Sequence, residues 1–395
     1  MDHAELATLL TPEALRLLDG LGPIDSTDDV AAAVTRLRAA GVAPDLVSAV
    51  VGQARLRSRA AAKFGPFAAR MLFTRAGLEQ ASRLSMAARH AGRFRDAGVA
   101  RVADLGCGIG GDALGFAGIG LDVLAVDADE VTAAIAAYNL APFGTAAAVR
   151  HARAEETDLA GVDAVWLDPA RRSAGHGETR RTRPEDWTPS LEWAFDLARR
   201  MPTGIKLGPG LDRAAIPADV EAQWITVDGS TIELVLWSGA LARPGVTRAA
   251  LVVHGDAAHE LTAPADAEDV PVRGLGAYVH EPAGAVIRAR LIGEVARRLD
   301  AGMLADGIAY LTSDTDRTSP FVQSFRIREE LPFDMKRLGR ALRERGIGTL
   351  EIKKRGVDVD PAALRPKLKL TGDGSATLLL TKIAGARVAL LADRV

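Results

Sequence analysis

Apolar residues recur at helical spacing through the first hundred residues of the chain. A helix start signal at Thr11 is followed by a proline and a glutamate, and a long amphipathic run begins at Asp45. A third helix, rich in arginine and alanine, is predicted over residues 76–94. These helices carry no catalytic pattern, so we expect residues 1–97 to form a helical domain that acts as a lid, scaffold or interface.

From residue 100 onward, short apolar runs alternate with helical stretches, which is typical of a parallel sheet covered by helices. The predicted strands are 102–105, 122–126, 147–151, 164–167 and 203–207. A hairpin follows, with strands at 223–227 and 231–237 and a turn at Asp228 and Gly229. Five parallel strands closed by an antiparallel hairpin indicate an α/β, doubly wound, Rossmann-like fold. They favour the variant found in methyltransferases over the all-parallel dinucleotide fold.

The rest of the chain reads as smaller units. Residues 242–275 predict a hairpin (249–253 and 259–262) with a linker, and residues 279–314 predict a strand–helix–strand unit with its helix at 286–299. The last module is α+β, with strands at 322–327, 349–353, 376–383 and 387–391 and helices at 334–345 and 361–364. We therefore expect four domains: helical at 1–97, α/β at 98–241, a linker hairpin with a small ferredoxin-like unit at 242–319, and α+β at 320–395.

Composition narrows the class of protein. The chain has 395 residues, 48% of them hydrophobic, which excludes a disordered protein. No apolar run reaches the roughly 18 residues that span a bilayer, and the first residues lack a secretion signal, so we expect a cytoplasmic protein without a membrane partner. Cys107 is the only cysteine, and the seven histidines show no ligand spacing, so neither a disulfide framework nor a metal site is expected.

The formal net charge of −2 conceals an asymmetry along the chain. Residues 321–395 carry 16 lysines and arginines against 9 acidic residues, whereas residues 1–320 carry 33 against 42. A basic C-terminal module on an acidic body indicates a negatively charged partner, although a basic face is often merely solvated. The oligomeric state stays open.

The strongest chemical signal is the glycine-rich stretch after the first predicted strand. Gly106, Gly108 and Gly110, with Cys107 among them, allow the backbone to turn tightly and approach a ligand before a helix begins. Asp104 closes the strand. An anion there has no use in a pyrophosphate cradle but suits the cationic methionine part of S-adenosylmethionine. The pattern therefore predicts a site for that cofactor, with a nicotinamide dinucleotide site as the weaker alternative.

Three further residues complete the predicted cofactor site. Asp127, which ends the next strand 21 residues after Gly106, is placed for a pair of ribose hydroxyls, and Ala128 follows it. Glu155, after the third strand, is placed for the adenine edge, with a solvated glutamate as the alternative. Asn139 serves either a local hydrogen bond or a turn.

Asp168 and Pro169 follow the fourth predicted strand, at the sheet edge where ligands bind in open α/β folds. Asp168 is expected to accept a hydrogen bond from the substrate, and Pro169 holds the turn rigid. Arg171 is assigned to the same catalytic group, since arginine can stack on a base or hold a phosphate. Lys206 borders this pocket, where we favour a surface lysine over a functional one.

The glycine motif, Asp127 and the Asp-Pro pair make residues 100–240 resemble a class I S-adenosylmethionine-dependent methyltransferase. Residues 168–171, within the stretch 168–172, are similar to the (Asn/Asp/Ser)-Pro-Pro-aromatic signature of enzymes that methylate base nitrogens in nucleic acids, with Ala170 and Arg171 replacing its last two positions. Together with Lys-Leu-Gly-Pro-Gly at 206–210 and Glu-Ile-Lys-Lys-Arg-Gly at 351–356, they resemble a bacterial family of class I methyltransferases with a THUMP-like domain.

The resemblance implies RNA as a partner, because THUMP domains bind structured RNA. The residues assigned to RNA binding are Lys353, Lys354, Arg355, Arg340 and Lys367. The segment 171–183, with five arginines and one glutamate, is interpreted either as a loop that binds phosphates or as a loop that is merely solvated. C5 methylation of a pyrimidine needs a cysteine nucleophile, and the single thiol lies in the cofactor loop, so this chemistry is not expected.

The sequence thus predicts an enzyme that methylates a base nitrogen of structured RNA (tRNA or rRNA) with S-adenosylmethionine and without a metal. Two alternatives remain. One is a methyltransferase of a small molecule or protein, and the other is a non-catalytic RNA-binding protein that senses the cofactor.

Overall fold

The computed structural model describes residues 1–171 and 187–395, and of Ala170 and Arg171 only the backbone. The described chain forms two compact units, Met1–Leu207 with Leu236–Ala242, and Gly208–Val235 with Arg243–Val395. No described helix has both the length and the apolar character needed to cross a membrane.

The first unit begins with six helices. Their bounds are α1 His3–Leu9, α2 Pro12–Asp19, α3 Thr27–Ala39, α4 Pro44–Phe64, α5 Arg75–Gln80 and α6 Leu84–Asp96. The predicted single helix at 76–94 is wrong, because the chain breaks it into α5 and α6. Lys63 on α4 donates from Nζ to the carbonyl oxygens of Leu78, Glu79 and Ala81 at 2.8, 2.8 and 2.9 Å. These bonds satisfy the end of α5 and fix the break.

A parallel sheet follows in the same unit. Its strands and helices are β1 Arg101–Leu105, α7 Gly111–Gly118, β2 Asp122–Asp127, α8 Glu130–Leu140, β3 Ala147–His151, β4 Ala164–Leu167, α9 Leu191–Arg200 and β7 Thr203–Leu207, with a short ladder of β5 Ala170–Arg171 and β6 Trp187–Thr188 between β4 and α9. The order is β7-β4-β1-β2-β3, and all pairs are parallel. The five predicted strands are confirmed, and their carboxyl ends share one edge.

The second unit contains the predicted hairpin. Its first strands are β8 Glu221–Val227, β9 Ser230–Trp237, β10 Arg248–His254 and β11 Ala257–Ala263, in the order β11-β10-β8-β9, and the last two residues of β9 belong to the first unit. Asp228 and Gly229 in the β8–β9 turn have φ of 47° and 82°. Two left-handed residues are what a two-residue hairpin turn requires.

A seven-stranded sheet completes the second unit. Its elements are β12 Tyr278–Pro282, α10 Gly284–Arg288, α11 Ile292–Leu299, β13 Gly302–Ala305, β14 Ile308–Ser313, β15 Val322–Leu331, α12 Met335–Glu344, β16 Ile347–Lys354, α13 Pro361–Leu368, β17 Gly374–Ile383 and β18 Ala386–Arg394. The order is β13-β14-β12-β15-β18-β17-β16. The predicted helix at 286–299 is wrong, since Arg290 adopts a left-handed φ of 59° between α10 and α11.

The expected boundary between residues 319 and 320 does not divide this sheet. Strand β12, from the predicted ferredoxin-like unit, pairs antiparallel with β15 of the predicted last module, with Val279 opposite Phe325. Val279 and Phe325 also share one buried apolar cluster with Leu379 and Leu390. The two expected domains therefore share a sheet and a core.

Candidate active site

The glycine loop connects β1 to α7 at the carboxyl edge of the parallel sheet. Gly106, Gly108 and Gly110 have positive φ of 85°, 56° and 86°, a region that side chains other than glycine rarely adopt. The N–H groups of Gly106 and Cys107 both donate to the carbonyl oxygen of Val126 on β2, at 2.9 Å. The loop is thus anchored to the neighbouring strand, and α7 begins at its end.

Asp104, near the end of β1, is buried without a hydrogen-bond partner. The residue is 1% exposed. Neither carboxylate oxygen has a hydrogen-bond donor among residues 1–171 and 187–395. Burial, with a smaller contribution from the charge of Asp112, raises the pKa of Asp104 well above its usual value. A buried carboxyl group without donors destabilises a protein, and a ligand that brings donors or positive charge relieves this.

Asp127, at the end of β2, holds the glycine loop. Its Oδ2 accepts from the N–H of Gly108 and its Oδ1 from the N–H of Asp129, both at 2.9 Å. Burial raises the pKa of Asp127 in spite of these two bonds. A carboxylate has about four acceptor positions, so Asp127 can still receive hydroxyl groups. Ala128 beside it is exposed.

Lys206 on β7 lies at the centre of a buried polar network. Its Nζ lies 3.0 Å from Asp112 Oδ2, 2.8 Å from Ser82 Oγ and 2.7 Å from Asp168 Oδ2. The residue is 8% exposed, so the interpretation as a surface lysine is wrong. Its ammonium group joins α7, the α5–α6 break and the end of β4.

Asp112, in the first turn of α7, completes this network. Its Oδ1 lies 3.1 Å from Nδ1 of His90, and Ser82 donates to its Oδ2 at 2.9 Å. Burial works against ionisation of Asp112, but Lys206 and His90 outweigh it and lower the pKa of this carboxyl group. Sequence reasoning missed His90 and Asp112, because nothing in the local pattern connects them to a lysine on β7.

Asp168 follows β4 at the same sheet edge, with its side chain 37% exposed. A Cβ atom placed on Gly106 would come within 3.1 Å of the carbonyl oxygen of Asp168, so the glycine loop and the end of β4 are in close contact. Pro169 is buried behind it. The backbone of Arg171 pairs with Trp187, whereas its side chain and residues 172–183 of the predicted phosphate-binding loop lie outside the described residues.

Comparison with known proteins places this chain in a family. Two proteins of Mycobacterium tuberculosis, from strains CDC 1551 and H37Rv, are each named an uncharacterized S-adenosylmethionine-dependent methyltransferase. Each is 34% identical to this chain over 339 residues, which cover 83% of this chain and 90% of the relative. The chain belongs to the S-adenosylmethionine-dependent methyltransferases. It is an enzyme, and its cofactor is S-adenosylmethionine.

Further comparisons describe the fold and the domains of this methyltransferase. A solved structure from Porphyromonas gingivalis W83, named as a methyltransferase, has a TM-score of 0.71 at 20% identity and covers 94% of this chain and 99% of its own. That likeness shows a shared fold. A family model described as THUMP domain-like matches residues 322–394, and one described as a domain of unknown function (DUF8688) matches residues 2–60. The predicted resemblance to class I methyltransferases with a THUMP-like domain is confirmed.

Glu155 and Cys107 are the remaining predicted cofactor residues, and Asn139 is the residue predicted to make a local hydrogen bond or to cap a turn. Glu155 lies in a single 3₁₀ turn and pairs with Arg153 at 3.3 Å. Cys107 is buried, and burial raises the pKa of its thiol well above the usual value, so the thiol stays protonated. Asn139 is buried; it donates to the carbonyl oxygens of Ile109 (2.9 Å) and Leu72 (3.0 Å). It therefore ties the glycine loop to the segment that precedes α5. Within the described residues, no group of three or more His, Cys, Asp or Glu is arranged to hold a metal ion.

The predicted RNA-binding residues fall into two sets. Lys353 and Arg355 are half-buried and both pair with Glu281, at 2.5 and 3.2 Å. Lys354, Arg340 and Lys367 are exposed and have no ion-pair partner in the described chain. The structure therefore separates charges that are already compensated from charges that face solvent.

Proposed function

We propose that this methyltransferase modifies a base nitrogen of structured RNA, tRNA or rRNA, and holds the RNA through the region matched by the THUMP domain-like model. One observation carries the proposal. The two helices of that region, α12 and α13, and the residue that follows α13 expose a set of cations that we call the helical basic face: Lys336, Arg337, Arg340, Arg365, Lys367 and Lys369. None of the six has an ion-pair partner among the described residues.

The two helices present these cations from one packed unit. Leu338 and Leu342 of α12 and Leu364 and Leu368 of α13 belong to the same apolar cluster, so the opposite sides of both helices face solvent. A Cβ atom on Gly339 would come within 3.1 Å of the carbonyl oxygen of Leu368, which shows how closely the helices approach. Closely spaced, uncompensated cations are what contact with a phosphate backbone requires.

Lys353 and Arg355 are weaker candidates for RNA contact than the helical basic face. Glu281 already compensates their charge, and their cations also lie over the rings of Phe325 and Tyr310, at 5.7 and 5.5 Å from the ring centroids. A phosphate would have to compete with these contacts. Of the predicted residues, we therefore retain Arg340, Lys367 and Lys354 as phosphate contacts.

The residues around the glycine loop fit S-adenosylmethionine. The unpartnered carboxyl group of Asp104 suits the cationic methionine part, the free acceptor positions of Asp127 suit the ribose hydroxyls, and Glu155 suits the adenine edge. Gly106, Gly108 and Gly110 allow close approach of the cofactor, because these positions carry no side chain; a Cβ atom at Gly106 would come within 3.1 Å of the carbonyl oxygen of Asp168. When bound, the cofactor supplies a methyl carbon activated by the sulfonium group.

Asp168 is the group placed to orient the acceptor. Its partly exposed carboxylate can accept a hydrogen bond from the N–H of a base and direct the nitrogen lone pair at the methyl carbon. Lys206, held by Asp112 and Ser82, fixes the other side of that carboxylate at 2.7 Å. Rigid positioning of this kind is a large part of catalysis in reactions that need no proton transfer before the transition state.

Modified nucleosides test this function directly. RNA from cells that lack the protein should have lost one methylated nucleoside, and the wild-type protein should restore it. Asp168→Ala should not restore it, although the variant protein still binds cofactor, because an orienting group worth about a hundredfold in rate is gone. If no methylated nucleoside disappears, RNA is not the substrate, and methylation of a small molecule or protein takes its place.

A further inference from the structure

We propose that the N-terminal helices hold a second RNA-phosphate site, in a cleft lined by Arg55, Arg59 and Arg75. This inference rests on the proposed function, because it identifies where the catalytic unit itself contacts the RNA. The cleft has a volume of about 600 Å³ and lies between α4, α1 and the start of α5. Clefts of that size accommodate a nucleotide-sized group.

The three arginines are uncompensated. All are exposed, and none has a hydrogen-bond or ion-pair partner in the described part of the chain. Arg55 and Arg59 are four residues apart on α4, so their guanidinium groups project from the same side of the helix and repel each other. Glu5 and Glu79 also line the cleft, and Glu5 is partnered by the N-terminal amine at 3.9 Å. Positive charge therefore exceeds negative charge along the cleft wall.

The cleft belongs to a strongly basic stretch of sequence. Residues 52–95 contain ten lysines and arginines and a single acidic residue, Glu79. Several of these cations already have structural roles, such as Arg57 with Asp19 and Lys63 at the end of α5. The arginines of the cleft have no such role among the described residues, so their charges are available to an anion from outside the chain. Guanidinium groups bind phosphate through two parallel hydrogen bonds.

The wall of the cleft is continuous with the cofactor loop in the same unit. Thr74, which lines the cleft, caps α5 by accepting from the N–H of Gly77 at 2.8 Å. Gly77 in turn packs on Ile109 of the glycine loop so closely that a Cβ atom would come within 2.5 Å of the Ile109 side chain. Phosphates bound at the cleft would thus be held on the segment that supports the cofactor site.

An exposed aromatic residue lies on the same stretch of chain. Phe67, in the 3₁₀ helix Gly65–Arg70 that follows α4, is 53% exposed. Arg70 is three residues later, and residues three apart lie along one edge of a 3₁₀ helix. An aromatic ring beside an arginine is a surface on which single-stranded bases stack. This feature favours RNA over a free anion as the occupant.

The test compares RNA binding by two double variants of the full-length protein. Arg55→Ala with Arg59→Ala removes two cations of the cleft. Arg36→Ala with Arg38→Ala, on α3, removes two exposed cations that do not line it. Affinity for unmodified transcribed tRNA is measured over a series of salt concentrations. Melting temperature, measured on the same samples, reports on folding.

We expect the cleft variant to bind tRNA more weakly by about tenfold or more. The slope of log affinity against log salt should become less steep by roughly two, about one per lost phosphate contact. The α3 variant should bind within about twofold of wild type.

Equal affinity and slope for the two variants would overturn the inference while leaving RNA as the substrate. Failure of the wild-type protein to bind tRNA would instead refute the proposed function. The cleft variant could instead bind RNA as tightly as wild type but lose binding of adenosine monophosphate. That result would show a nucleotide site and refute an RNA contact.

Discussion

The end of β1 and the start of α7 each bury an aspartate, and the two have opposite surroundings. Asp104 is 1% exposed and has no hydrogen-bond partner in the described chain, whereas Asp112 is 6% exposed and contacts Lys206, His90 and Ser82. Burial therefore raises the pKa of Asp104, while at Asp112 the cationic partners prevail over burial and lower it. Two similarly buried carboxyl groups thus differ in their partners: Asp112 stabilises the fold through its ion pair, whereas Asp104 has no donor or cation beside it until a ligand supplies one.

Asp112→Asn should give the largest effect. It removes the negative charge that compensates buried Lys206, and a buried ion pair that loses one partner destabilises a protein by about 3–5 kcal/mol. The pKa of Asp112 is lowered in the folded state, so its contribution is present at neutral pH and is lost as the pH falls through that lowered value. Thermal unfolding of ligand-free protein measures the loss. A melting temperature equal to wild type would show that the network does not hold α7.

Asp104→Asn should act in the opposite direction on stability. The pKa of Asp104 is raised in the folded state, so ionisation at higher pH disfavours the ligand-free fold. The variant should be more stable than wild type at neutral pH, by about 1–3 kcal/mol, because a buried neutral amide costs less free energy than a buried carboxylate without a partner. The gain should vanish below the ordinary aspartate value of 3.8. A variant less stable than wild type at neutral pH would mean that Asp104 has partners in solution.

The pH dependence of cofactor affinity sharpens the same contrast. A cationic ligand requires ionised Asp104, so affinity should fall as the pH decreases through the raised pKa, by up to about tenfold per pH unit. Asp104→Asn should bind weakly and without this dependence. Isothermal titration over a pH series provides both curves. A wild-type curve as flat as that of the variant would contradict the role of Asp104.

The smallest expected effect is on tRNA affinity, and it compares cations of the second unit that have an ion-pair partner with cations that have none among the described residues. Alanine at Lys336, Arg337 and Arg340 should weaken tRNA binding about tenfold or more, because three uncompensated charges are lost. Alanine at Lys353 and Arg355 should weaken it less than about threefold, since Glu281 already compensates both residues. Fluorescence anisotropy at fixed salt distinguishes the two variants. A larger loss of affinity in the variant at Lys353 and Arg355 would contradict this and place the RNA contact at the end of β16.

Local patterns were sufficient for much of the fold. The five parallel strands and the Asp228–Gly229 hairpin were predictable, because alternating apolar runs and turn residues act over a few positions. The breaks between α5 and α6 and between α10 and α11 were not. The first depends on Lys63 from another helix, and the second on a left-handed arginine, which no sequence rule favours.

The site shows the same limit. The glycine loop and Asp104 stand out in the sequence because their residues are adjacent. The pair of Lys206 and Asp112 joins residues 94 positions apart, so neither residue reveals the other. The sequence favours a surface position for Lys206, because isolated lysines are rarely buried. Only the parallel strand order, in which β4 lies between β7 and β1, places it beside two carboxylates.

Calorimetric titration of S-adenosylmethionine at neutral pH into wild type and Asp104→Asn tests the central claim most directly. The account predicts that the variant folds at least as stably as wild type and yet binds the cofactor at least about a hundredfold more weakly, the loss of about 3 kcal/mol expected for a charge-assisted hydrogen bond in a buried site. Equal affinity of the two proteins would contradict it, and the unpartnered carboxyl group at the end of β1 would then not bind the cofactor.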